Sequence, residues 1–157
     1  MIDLLSAVYR DEGLCNDEDR KLRAIEKAKC KASFVHFLKY GKVQVPPTKD
    51  RPGGVLPFQF WPHLLRAIKI LLDQNLIEWL KSRQVGASWL IAAYVLWYTL
   101  HHQAARVILI SKGETEAIEL LGKCYPIYKY LPDFMKLQQG SKSLTAMSFP
   151  VMDSSIK

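Results

Sequence analysis

The stretch "EWLKSRQVGASWLIAAYVLW", Glu78–Trp97, decides how this chain is read. It runs from a strand-like segment through a short polar turn holding one glycine into a long apolar helix. A turn of that kind turns the free amides and the positive dipole end of the helix toward whatever lies in front of it, which suits an anion. The phosphate-binding loop GxxxxGK[ST] uses this layout: its backbone N–H groups cradle phosphates, its lysine meets the β/γ oxygens and its hydroxyl ligates Mg²⁺. Aligned on Gly86, "KSRQVGAS" places Lys81 at the first glycine, Gly86 at the second, Ala87 at the lysine and Ser88 at the hydroxyl. Two parts of the loop survive. The lysine after the glycine is lost, and Lys81 offers a cation from the other end. A plain strand-turn-helix with no ligand is the competing reading of the same residues.

Working outward, "ARVILISKGETEAIELLGKC" repeats the strand-then-helix pattern. Arg106–Ile110 reads as a strand buried on both faces of a parallel sheet. Ser111 and Glu114 stand at capping-box spacing before the next helix, which Pro126 bends or ends. "SLTAMSFPVMDSSIK" offers a third strand, weakened by Pro150. Upstream, Pro62 opens a helix with Leu64, Leu65, Ile68 and Leu72 on one face. "GKVQVPPTKDRPGG", with three prolines and three glycines, reads as a linker or extended arm and not as an element. Before it, a helix is predicted from Asp17 to about Tyr40, capped by Asn16, stopped by Gly41 and buried along Leu22, Ile25, Ala28, Ala32, Val35 and Leu38. Its Lys and Arg face is most simply a solvated surface, with contact to DNA as the alternative. Alternating strands and helices make the class α/β with a parallel sheet. The division is an N-terminal helix and arm over 1–54 and an incomplete nucleotide-binding domain over 55–157.

Composition sets bounds on this reading. A chain of 157 residues with 49% hydrophobic residues can bury a substantial core. A net charge of +7 favours polyanionic partners without choosing among nucleic acid, nucleotide and membrane surface. Cys15, Cys30 and Cys124 are odd in number and far apart, so neither a disulfide framework nor a zinc site is expected, in keeping with a reducing cytosol. "MIDLLSAVYRDEG" lacks the basic n-region and apolar core of a signal peptide. Val85–Leu100 is a 16-residue run without charge. It is short of the roughly 20 residues a spanning helix needs, and a buried core helix is expected instead.

"LKSRQVGASWLIAAYVLW" resembles the Walker A region of phage terminase large subunits, the ATPase-nucleases that package DNA into capsids. The family often carries an Arg-Gln pair before its glycine, here Arg83 and Gln84, and a Ser or Thr closing the loop, here Ser88. Versions with the lysine displaced to the loop's start occur there, and Lys81 fits that form. "GGVLPFQFWPHLLRAIKIL" is similar to the aromatic-proline segment that approaches adenine, and "VILISKGETEAIELLGKCYPIYKYLPDF" and "MSFPVMDSSIK" to the segments that follow the loop. The resemblance covers about Phe34–Lys157. It implies a partial P-loop NTPase sheet with flanking helices behind an N-terminal helical segment. It implies ATP and Mg²⁺ held by Lys81, Ser82, Arg83, Gln84, Val85, Gly86, Ala87 and Ser88, with Ser88 on the metal. It also implies duplex DNA as the translocated substrate, portal protein and small terminase subunit as partners, and the host cytoplasm as the place of work.

Departures accompany it. The family's adenine-reading glutamine is not in its usual place, where His63 and Leu64 stand, although Gln59 precedes; Phe58 or Trp61 could stack on a base but read more simply as core aromatics. Hydrolysis needs an apolar strand ending in Asp-Glu. "FPVMD" is interrupted by Pro150 and followed by Ser154, and Asp11-Glu12 and Asp17-Glu18 precede the loop. A nuclease domain's carboxylate cluster is missing as well. The sequence thus reads as the opening part of a packaging ATPase, expected to turn over ATP poorly and to expose sheet edges. The alternative is a truncated or degenerate, non-catalytic module whose basic helix binds DNA or a partner protein. A helicase-like ATPase is a third reading, less favoured because that class keeps the lysine after the glycine.

Overall fold

The computed structural model describes residues 16–47, 49, 52–82, 85–140 and 143–157. Arg83 and Gln84 of the loop lie outside the described residues, as do Cys15 and Asp11-Glu12.

The uncharged run forms the centre of the fold. Helix α4, numbered here in chain order, spans Ala87–His101 and is apolar around its whole circumference, with Leu90, Ala92, Ala93, Leu96 and Leu100 buried. A helix with no polar stripe must be covered on all sides, and its neighbours come from both ends of the chain. No helix among the described residues is long and apolar enough to cross a membrane.

On one side lie α1 (Asp17–Ala32) and α2 (Phe34–Leu38). Asn16 caps α1 as expected, accepting from the Asp19 amide at 2.9 Å. The single long helix to Tyr40 is corrected, because Ser33 turns extended (φ −139°, ψ 114°) and its hydroxyl caps α2 through the His36 amide at 3.2 Å. This break rotates the face that meets the core. Cys30, Phe34, Phe37 and Leu38 are buried, whereas the expected stripe residues Leu22, Ile25, Ala28 and Ala32 are exposed. Ending α1 at Ala32 leaves carbonyls without intrahelical donors, and the Trp97 indole of α4 donates to the Cys30 carbonyl at 2.8 Å. Glu26 locks the two helices together. It accepts from Lys29 Nζ at 2.6 Å, meets His36 Nε2 at 2.8 Å and accepts from Tyr40 at 2.9 Å. The Lys29 and His36 contacts, with that of Tyr40, draw the Glu26 carboxyl down to about 2 despite the opposing effect of burial.

The arm, expected to be linker, pairs. β1 (Lys42–Val45) runs antiparallel to β2 (Gly54–Pro57), with Val43 opposite Leu56, and the Phe58 amide extends the ladder to the Gly41 carbonyl at 2.9 Å. β-branched valines facing a neighbouring strand outweigh the prolines, which sit in the connection and at the strand end where no ladder donor is needed. α3 (Pro62–Asp73) starts at its proline as expected and buries Leu64 and Ile68, but Leu65 and Leu72 face outward.

"NLIEWLKS" is not a strand. Its described residues pair with no neighbour, and Leu76 and Leu80 are 93% and 90% exposed. β3 is Arg106–Val107 alone, at the edge of a three-stranded sheet ordered β3-β5-β4, where β4 is Met147–Phe149 and β5 is Ser154–Ile156. β3 is parallel to β5, the one parallel pair among the described strands, and β4 is antiparallel. The expected third strand is therefore a hairpin, its chain reversed by a 3₁₀ turn at Pro150–Met152 and left-handed Asp153 (φ 48°). Nor is Arg106–Ile110 buried on both faces. Ala105, Val107 and Leu109 bond to β5, while Ile108 and Ile110 are 70% and 86% exposed.

α5 (Glu114–Gly122) is entered through Gly113 with no side-chain cap, so the Ser111–Glu114 capping box does not form. α6 (Cys124–Lys129) follows at once, with Pro126 in its first turn. Pro126 has no N–H to give the Gly122 carbonyl, which is where α5 stops. One buried cluster joins Phe34 and Phe37 of α2, Leu90 and Leu96 of α4, Ile127 of α6 and Met147, Phe149 and Ile156 of the sheet. It draws on both sides of Gly54. Ser154 pins sheet to helix by donating to the Thr99 carbonyl at 2.7 Å.

Candidate functional site

A cavity of about 420 Å³ lies in front of α4. The β1–β2 ladder and the residue after β1 supply Val43, Val45, Leu56 and Pro46, the segment leading into α3 supplies Phe58, Gln59 and Trp61, α3 supplies Leu64, and Gly86 and Trp89 complete the lining. Among the described residues its walls are apolar and aromatic, with Gln59 the one polar side chain. A second cleft of about 390 Å³ shares Pro46 and Trp89 with it and is edged by Glu119 and Lys123. The Lys123 ammonium stands 6.0 Å from the centre of the Trp89 ring.

Gly86 is the hinge of the site. It adopts φ 78°, ψ 0°, the left-handed region that other residues enter at a cost. A side chain there would also meet Trp61 at 3.1 Å and Leu64 at 3.3 Å. Sterics and backbone thus both call for glycine. The first intrahelical bond is Leu90 N–H to the Gly86 carbonyl at 3.1 Å. The Ala87, Ser88 and Trp89 amides consequently lack intrahelical acceptors, and no side chain among the described residues caps them. An uncapped, positive helix end beside an aromatic cavity is well matched to an anionic group carried on a flat apolar ring.

The structure places the loop residues unequally. Gly86 lines the cavity; Ala87 is buried; Val85 and Ser88 are half-buried beside it in sequence. The Ser88 hydroxyl sits in the first turn of α4 without a hydrogen-bond partner among the described residues. Lys81 and Ser82 are exposed and outside the cavity lining, and Arg83 and Gln84 fall outside the described residues. Among the aromatics, Phe58 is buried and Trp61 is 45% exposed, stacked on His63 at 5.6 Å. Gln59 turns its amide back to the Pro57 carbonyl at 3.3 Å.

Sequence reasoning missed three contributors. His63 Nε2 donates to the Val85 carbonyl at 3.0 Å, fastening the loop to α3; no local pattern signals a bond across such a separation. The arm's Val43, Val45 and Pro46 were read as linker. Trp89 was legible in principle, since three residues past Gly86 it must stand in the first helical turn.

Both cysteines among the described residues are buried. Burial pushes the Cys30 and Cys124 thiols up to about 12, which makes both poor nucleophiles. Asp153, which ends "FPVMD", lies in the hairpin turn and is bridged by Arg106 Nη2 at 2.7 Å. It does not end a strand facing the loop, so the one downstream Asp that follows an apolar run is committed elsewhere. No cluster of three or more His, Cys, Asp or Glu that could hold a metal occurs among the described residues. No protein-family model and no curated protein matches the chain.

Proposed function

We propose that the chain is the N-terminal ATPase region of a terminase large subunit, binding ATP with Mg²⁺ through the rearranged loop Lys81–Ser88. One observation carries this reading: the aromatic cavity of about 420 Å³ opens directly onto Gly86 and the uncapped start of α4. That volume lies within the usual range of small-molecule sites. The base lies against Phe58, Trp61 or Trp89, and the phosphates meet the Ala87–Trp89 amides. Ser88 is the one protein oxygen offered to Mg²⁺, with phosphate oxygens and water completing its octahedron as that ion permits. Lys81, held on an exposed extended segment, closes over the phosphates once they are bound. In the complete motor, working in the host cytoplasm with portal protein and small terminase subunit, nucleotide-driven movement translocates duplex DNA.

Calorimetric titration with a non-hydrolysable ATP analogue and Mg²⁺ tests the proposal, beside Lys81→Ala and Ser88→Ala. Saturable binding weakened by both changes supports it. Absence of binding to the folded chain rejects it.

A second reading is favoured by Asp153, which ends the one downstream apolar run in Asp but sits in the hairpin turn, paired with Arg106. On that reading the chain is a non-catalytic module that binds DNA or a partner protein. Failure of the folded chain to bind the nucleotide analogue, with salt-sensitive DNA binding retained, favours this reading.

A further inference from the structure

The far end of α4 carries a different surface. Tyr94, Tyr98 and His102 recur every fourth residue and form a column. The Tyr94 and Tyr98 ring centres are 6.3 Å apart, and Tyr98 and His102 stack at 4.2 Å with an interplanar angle of 18°. The column is fixed in place. The His102 amide and its Nδ1–H both reach the Tyr98 carbonyl, at 2.9 and 3.0 Å, closing the helix and setting the ring plane. Trp97 braces it from the side, edge-on to His102 at 5.3 Å. Yet Tyr98 remains 37% exposed and His102 half-buried.

Positive charge lies beside this column. Trp97 also donates to the Cys30 carbonyl, so the last turn of α1 meets α4 at Trp97. Lys27 and Lys31 flank Cys30 one helical turn apart, on the flank of the α1 face that contacts α4. No carboxylate among the described residues pairs with either, whereas Lys29, on another face, is taken by Glu26. Their charges are felt at α4, where after burial and His102 they help to hold the His101 imidazole down to about 4. Two cations without an ion-pair partner among the described residues therefore lie within electrostatic reach of His101, the neighbour of His102.

We propose that Tyr98 and His102 of α4, with Lys27 and Lys31 of α1, form a binding surface for single-stranded nucleic acid. An unpaired base extends the aromatic column, and the two ammonium groups meet the phosphates on either side of it. Stacking needs an exposed base face, which a duplex offers only at its ends. The surface is separate from the cavity at Gly86, so it stands whether or not nucleotide binds there.

The test is fluorescence anisotropy of labelled oligo-dT, oligo-U and a matched duplex against the full chain over a salt series. Single strands are expected to bind more tightly than the duplex, and the two oligomers separate DNA from RNA as the source. Lys27→Gln with Lys31→Gln is expected to reduce the slope of log K against log salt by about 1.4. Tyr98→Leu should weaken binding roughly tenfold with the slope unchanged. Tyr98→Phe, which keeps the ring, should bind like the parent chain. His102→Ala provides a second loss of stacking if Tyr98→Leu does not fold. All four changes should leave the ATP-analogue titration unaltered. The proposal is overturned if the folded chain binds neither oligomer at low salt. Duplex preference, or indifference to loss of either ring, overturns it equally.

Discussion

Gly86 lies directly beneath the Trp61 indole, so close that an added Cβ would stand 3.1 Å from the ring. The glycine at the start of α4 and the tryptophan before α3 are thereby coupled: the left-handed turn that frees the helix amides also supplies the space in which the cavity's aromatic wall rests. Gly86→Ala should cost about 1–2 kcal/mol from backbone conformation alone. Displacement of Trp61 should add to that and disturb the cavity. Urea denaturation reads the first effect and Trp fluorescence the second. An unchanged midpoint would mean that the turn does not hold the geometry described.

Trp97 acts as a cap for another helix, since its indole satisfies a Cys30 carbonyl at the end of α1. Trp97→Phe keeps a ring in the core but leaves that buried acceptor unpaired. A loss of about 1–3 kcal/mol is expected. Hydrogen exchange should show the damage first in the last turn of α1, and protection lost evenly across the fold would contradict this assignment.

Acid should destabilise the protein in two overlapping steps. His101 is buried with Nε2 unpartnered among the described residues, and burial, with His102, Lys27 and Lys31, takes its pKa from 6.5 to about 4. The unfolded chain therefore binds this proton first as pH falls, so stability drops from about pH 6.5 to 4 and, for this group, no further. The loss is at most about 3 kcal/mol. Glu26 acts lower: its contribution is present above 4.5 and disappears as pH falls toward 2. His101→Leu should flatten the first step alone in denaturation midpoints measured across this range.

Among the described residues no strand pairs with the outer edge of β3. Ala105, Val107 and Leu109 turn their backbone groups to β5, so by alternation those of Arg106, Ile108 and Ile110 point outward, with both isoleucine side chains exposed. Such edges pair with other chains. Concentration-dependent self-association is expected in sedimentation velocity, and Ile108→Lys with Ile110→Lys should suppress it while leaving the melting temperature within a few degrees.

Local chemistry made part of this protein legible in its sequence. Asn16 could be recognised as a cap, Pro62 as a helix opener and the uncharged run Val85–Leu100 as a buried helix, because each depends on residues within a turn or two of one another. Gly86 was legible for the same reason, since its role is set by the turn it occupies. The sequence also named the loop from Lys81 to Ser88, but not what faces it. Only tertiary packing decided that the supposed linker would pair as β1 and β2 and wall a cavity, that His63 would tie down Val85, and that Ser33 would break one helix into two and leave Leu22 and Ile25 outside. Periodicity reports which residues share a face, and pairing partners far along the chain decide whether that face is covered. For the same reason "NLIEWLKS" has strand composition without a strand neighbour, and Arg106–Ile110 is flanked on one side only among the described residues: a strand is stabilised by the strand beside it, which no single segment can specify.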